Sequence, residues 1–183
     1  MSFSLLVMRS QSPHSLSSAM PDAVIALPFG RMGLYCSEQA VLRLDYLAPD
    51  APLSAPESPL CRALTAQLHA YCDDPGHRFD LPLAPVGTAF QQRVWALLRQ
   101  IPPGQTRSYG DAALELHSAA RAVGQACAAN PFAPIVPCHR IVARAGLGGF
   151  AHSTAVDGYL LAIKRWLLVH ESPRDSLALV SHA

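Results

Sequence analysis

Short apolar runs open the chain. Residues 24–27, 33–36 and 41–46 alternate or run apolar, and Pro28-Phe29-Gly30 and Ser37-Glu38-Gln39 separate them, which spells a small antiparallel meander. A proline-punctuated stretch from Asp50 to Pro59 forbids regular structure and reads as a linker or surface loop. The period then lengthens. Leu60, Leu64, Leu68 and Tyr71 fall on one helical face over 59–71, and Asp73-Asp74-Pro75-Gly76 ends that helix. After a proline-rich connector at 79–86, Thr88 caps a second helix with Phe90, Val94, Leu97 and Leu98 on its inner face. Ile101-Pro102-Pro103-Gly104 stops it.

Two shorter helices follow, at 109–116 and 119–129. Only His117-Ser118 lies between them, with Ser118 as the cap of the second, which makes a helix-turn-helix. Ala145 to Phe150 is a glycine loop. A last helix runs over 158–169, with Asp157 as its cap and Tyr159, Ile163, Trp166, Leu167 and His170 toward the core. Lys164-Arg165 are expected to face outward, and Glu171 closes the helix. The predicted fold class is α+β: a disordered leader over 1–22, an N-terminal lobe over 23–85, a C-terminal lobe over 86–172 and a tail over 173–183.

Half of the 183 residues are hydrophobic and 15% are charged, which excludes a disordered chain and suits one core with a small appended lobe. No apolar run approaches the ~20 residues of a membrane span. The serine-rich start carries no positive charge ahead of its short apolar run Leu5 to Met8, a poor secretory signal. Five cysteines without a CxxC pair argue against a disulfide framework and a zinc site and favour a reducing, cytoplasmic setting. Charge is uneven: residues 91–170 carry eight basic and three acidic side chains, a balance of +5, while the rest stands at −4. A basic back half suits an anionic partner, although scattered solvated arginines would give the same count.

The 119–129 helix, AARAVGQACAA, is nearly all small residues, with Arg121 and Gln125 as its only long polar side chains. Two readings stand side by side. One is a slim, sequence-blind face that approaches a phosphate backbone; the other is a buried Ala/Gly helix packed in the core. The sharpest chemical signal is Pro137-Cys138-His139-Arg140. A thiol attacks only as the thiolate, and its ordinary pKa of about 8.5 calls for a base beside it. His139 can serve, directly or through a water, with a carboxylate behind it to fix its tautomer. Asp157, Glu171 and Asp175 are the carboxylates downstream, and Glu171 closes the helix expected to pack beside the site. A buried structural cysteine beside an exposed histidine is the plainer alternative, and the signatures of cysteine hydrolases are absent.

Taken together, GTAFQQRVWALL, IPPGQTRSYGDAA, AARAVGQACAANP, PIVPCHRIV and KRWLLVHE closely resemble the O6-alkylguanine-DNA alkyltransferases over about 85 residues. The resemblance implies a ribonuclease-H-like N-terminal lobe and a winged-helix-like C-terminal lobe that binds DNA. It implies Cys138 as alkyl acceptor, His139 as water-mediated base, Glu171 as its orienter, Asn130 as a brace of the cysteine turn, and Tyr109 beside the target nucleotide. Arg121 would be the finger that replaces the extruded base, with Ser118, Gln125, Gln91 and Arg144 as further DNA contacts. The implied partner is double-stranded DNA carrying O6-alkylguanine, with O4-alkylthymine as a further substrate, no cofactor, no metal, no membrane, and a monomer. The sequence departs from the family's pattern twice: its 117–118 turn is shorter than the usual Pro/Gly turn, and its 146–158 loop is longer, with Phe150 to Tyr159 expected to line the base pocket. A lesion-binding module and a helix-turn-helix regulator, both without alkyl transfer, are the competing functions; the first would lack the cysteine, and the second would need base-reading side chains.

Overall fold

A computed structural model describes residues 20–151 and 158–172. The leader and tail expectations fall mostly outside these residues, although Asp22 is already ordered: its backbone N–H donates to the Leu34 carbonyl and its carboxylate accepts from the Cys36 N–H. Three antiparallel strands follow in chain order, β1 (Ala23–Leu27), β2 (Gly30–Cys36) and β3 (Val41–Leu47). The first hairpin is tighter than the sequence suggested, because Gly30, Arg31 and Met32 pair with Leu27, Ala26 and Ile25 and leave only Pro28 and Phe29 in the turn. Helix α1 (Pro59–Asp73) starts at Ser58, whose hydroxyl accepts from the Cys61 N–H, and buries Cys61, Leu64, Leu68 and Tyr71. It lies against this sheet.

The second half is built on α2 (Ala89–Gln100). Thr88 and Gln91 exchange side-chain and backbone hydrogen bonds in a complete capping box. Its buried face holds Val94, Trp95, Leu97 and Leu98, with Phe90 only half-buried; the Trp95 indole donates to the Ala126 carbonyl at 2.9 Å and thereby ties α2 to the helix that carries Ala126. A short strand β4 (Arg107–Ser108) leads into α3 (Tyr109–Glu115) and α4 (Ala120–Ala128). After a 3-10 turn at Cys138–Arg140, β5 (Ile141–Val142) pairs with β4 in parallel. These two short strands escaped the sequence reading because two residues carry no period. They pin the cysteine turn beside the helix pair.

Two local expectations need correction. Ser118 does not cap α4. The N-cap is Ala119, without any side-chain bond, and the Ser118 N–H instead donates back to the Ala113 carbonyl while His117 takes φ +49°. That is a left-handed helix ending in which a histidine stands where glycine is usual, and it spends the serine on closing α3. Nor does Lys164 face outward on α5 (Tyr159–Glu171): the inner stripe is Leu161, Ile163, Lys164, Leu167 and Glu171, while Tyr159 is 42% exposed. Arg165 does face outward. Gly158 holds the N-cap, and Asp157 lies outside the described residues.

One continuous apolar cluster joins the two halves, from Ala23 in β1 to Leu167 in α5. Across it, the Leu44 N–H donates to the Pro131 carbonyl at 2.8 Å, and Phe29 packs against Trp166 with ring centroids 5.2 Å apart. Among the described residues no helix is long and apolar enough to cross a membrane, all five cysteines are free thiols, and no cluster of His, Cys, Asp or Glu suits a metal ion.

Candidate active site

Cys138 opens the 3-10 turn and is 7% exposed, at the base of a cavity of about 640 Å³. Tyr109, Arg121, Gly124, Gln125, Cys127, Gly149 and Phe150 line it with Cys138. The turn is braced from below. The Asn130 side-chain amide donates to the Val136 carbonyl at 2.7 Å, its oxygen accepts from the Phe132 N–H, and it also hydrogen-bonds the Cys138 thiol. Burial pushes that thiol above its ordinary value, with Asn130 and the Lys164 charge pulling the other way. The sulfur therefore does not ionise readily by itself and needs its proton taken away.

His139 is fully buried, and its Nε2 lies 2.9 Å from Glu171 Oε1. A carboxylate only accepts, so the ring proton sits on Nε2 and Nδ1 presents a lone pair. Among the described residues no group bonds that Nδ1. Burial lowers the His139 pKa, against the pull of Glu171, so the ring is neutral and able to receive a proton. Glu171 accepts from four donors: His139, Arg140 Nε and Nη2 at 2.8 Å each, and the Tyr71 hydroxyl at 2.7 Å. Burial opposes its charge, but the bonds from His139 and Arg140 prevail and hold its pKa at about 2. Arg140 also donates to the Ile101 carbonyl.

Lys164 supplies the other buried charge. Its ammonium donates to the carbonyls of Ile141 (2.8 Å), Leu147 (2.7 Å) and Gly149 (3.1 Å), and so gathers the glycine loop over the cysteine turn. Burial lowers its pKa to about 8, with the Cys138 and Cys127 thiols pulling upward. Gly148 has φ +69°, and a Cβ there would stand 3.0 Å from the Tyr109 ring, so only glycine lets the loop lie this close. Tyr109 donates to the Gly149 carbonyl at 3.2 Å, and burial pushes its phenol up to about 12, which keeps it a donor.

The family described as "6-O-methylguanine DNA methyltransferase, DNA binding domain" matches residues 89–173. A methylated-DNA--protein-cysteine methyltransferase of Methanosarcina acetivorans is 35% identical over 150 residues, 78% of this chain and 96% of that protein. The chain belongs to this methyltransferase family. The constitutive methyltransferase of Bacillus subtilis is 42% identical over 113 residues, 60% of this chain and 68% of its own. Among solved structures, Mycobacterium tuberculosis OGT in complex with DNA is similar with a TM-score of 0.66 and 37% identity, over 83% of this chain and 94% of that one.

Of the residues singled out from the sequence, Asn130 braces the turn that carries Cys138 and His139, Glu171 bonds His139, and Tyr109, Arg121 and Gln125 border the cavity that Cys138 lines. Three stand elsewhere. Ser118 is exposed, with its backbone N–H bonded back to the end of α3, Gln91 is held in the capping box of α2, and exposed Arg144 lies near Gly110 at the start of α3. Phe150 borders this cavity, and Tyr159 lines a neighbouring one together with Cys138 and Phe150; residues 152–157 lie outside the described residues. The basic excess is partly internal, because Arg140 and Lys164 are buried, Arg107 pairs with Glu115 and Arg93 donates to the Leu116 carbonyl. Sequence reasoning missed Tyr71, Arg140 and Lys164. Arg140 alone carried a signal, its place beside His139 in PCHR.

Proposed function

We propose that this protein repairs DNA by transferring the alkyl group of O6-alkylguanine to its own Cys138, once per molecule. The observation that carries the reading is that Cys138 and the basic residue Arg121 line one cavity, while the neutral His139 next to Cys138 in the chain is bonded to Glu171. The attacking sulfur gives its proton to His139 through a water, forms a bond to the alkyl carbon, and that carbon's bond to O6 breaks. The electron pair stays on the guanine, which takes a proton from a donor such as Tyr109. The product is a thioether, and no group in the chain removes it.

The target must leave the stack to reach a sulfur this deep, at roughly a few kcal/mol. Arg121, exposed near the start of α4, fills the vacated place in this reading, and the uncapped, small-residue start of α4 supports close approach to phosphates. Gln125 extends that surface. Gln91, Ser118 and Arg144 serve as outer DNA contacts through whatever their local bonds leave free. The division into a ribonuclease-H-like lobe over 23–85 and a winged-helix-like lobe over 86–172, a monomeric state, a cytoplasmic location and activity on O4-alkylthymine belong to the same proposal.

Intact-protein mass spectrometry tests it. After incubation with an O6-methylguanine oligonucleotide, the wild type is expected to gain one methyl mass at Cys138 and Cys138→Ala none. An unmodified wild type, or a methyl on Cys127, overturns the assignment.

A further inference from the structure

We infer that Tyr46 is a positioning residue for the transfer: from β3 its hydroxyl, together with His139 Nδ1, holds the water through which Cys138 passes its proton. The inference rests on the alkyl-transfer reading and adds a residue from the N-terminal half. Two buried polar atoms around the cysteine turn lack a partner among the described residues, His139 Nδ1 and the Tyr46 hydroxyl. Buried polar groups are rarely left unpaired, and a water that serves two of them is the usual remedy.

Placement supports the pairing. Tyr46 and Cys138 border one cavity of about 460 Å³ with Asn130 and Phe150, roomy enough for water. The Tyr46 ring is held between Phe29 and Phe150, at centroid distances of 6.2 and 5.4 Å, so the hydroxyl is fixed in direction. Its phenol is electrostatically coupled to the Cys138 thiol and to Tyr71, whose hydroxyl bonds the same Glu171 oxygen as His139.

With Nδ1 accepting, the water donates one hydrogen to His139 and accepts from the Cys138 thiol and the Tyr46 hydroxyl. One proton enters it from sulfur as another leaves to Nδ1, so the water emerges unchanged. Other groups face the sulfur too: Lys164 from α5, Cys127 from α4, Tyr109 from α3 and the Asn130 amide, with Arg140 and Glu171 behind His139. None of these bonds the Tyr46 hydroxyl, and Tyr46→Phe leaves them all in place.

Tyr46→Phe keeps the ring and deletes the oxygen. Two readouts apply: single-turnover methyl transfer from an O6-methylguanine oligonucleotide, and alkylation of Cys138 by iodoacetamide without DNA, followed by peptide mass across pH. The variant is expected to transfer about tenfold more slowly at neutral pH, with unchanged DNA affinity, and its alkylation midpoint is expected to rise by about one pH unit. An unshifted midpoint overturns the inference, whether or not the rate falls, since a purely structural residue would leave it in place. A wild type that takes no methyl from DNA sinks the functional reading instead, while the iodoacetamide arm still reads Tyr46.

Discussion

Glu171 gathers four hydrogen-bond donors from two elements, α1 and the cysteine turn, onto its two oxygens. Its pKa is held at about 2, below the ordinary 4.5, and that of His139 lies below the ordinary 6.5. As pH falls, the unfolded chain takes protons at both residues before the folded one does, so both changes act in the same direction. Stability is expected to decline first below about pH 6.5 through His139 and then, by about 3 kcal/mol, between about pH 4.5 and 2 through Glu171. Urea unfolding at stepped pH checks this, and Glu171→Gln should lose the lower limb. Cys138, His139, Glu171 and Asn130 were legible from sequence because their motif is local or sits at a helix end. Lys164 was not, since a charged residue in an amphipathic pattern is assigned to solvent; the three carbonyls that its ammonium reaches, of Ile141, Leu147 and Gly149, reverse that assignment.

Helix α4 decides between the two readings its composition left open. Val123, Ala126 and Cys127 pack inward while Arg121 and Gln125 stay exposed, so the helix is at once a core element and a slim outer face. Its small residues serve both sides. If Arg121 occupies the place of an extruded base, Arg121→Ala should slow repair of duplex DNA about tenfold more than repair of a single-stranded lesion, where no partner base is left behind. Equal losses on both substrates, measured in single-turnover assays, would argue against that role. The helices themselves were readable from their period, as was the Thr88 cap. The turn between α3 and α4 was not, because Ser118 has the chemistry of a cap and only the left-handed His117 shows that it is spent on the preceding helix.

For the molecule as a whole, the N-terminal half is more than a support, because it reaches the site through Tyr71. That hydroxyl donates to Glu171 at 2.7 Å, and the Tyr71 carbonyl lies 2.8 Å from His170 Nε2. Tyr71→Phe is expected to destabilise the protein by about 2 kcal/mol, the usual cost of a lost bond to a charged group, and to slow alkyl transfer severalfold; thermal unfolding and the mass assay would show both. What the sequence determined by itself is the order of the N-terminal strands and of the helices, the family, and the adjacency of Cys138 and His139, because periodicity, caps and adjacent motifs are local properties of a chain. Only the tertiary structure decided that Lys164 turns inward, that Tyr71 and Arg140 share Glu171, and that Cys138 lies buried enough to keep its proton until it is removed. Those outcomes depend on which distant carbonyls and carboxylates burial leaves in need of a partner, and no pattern along the chain records that.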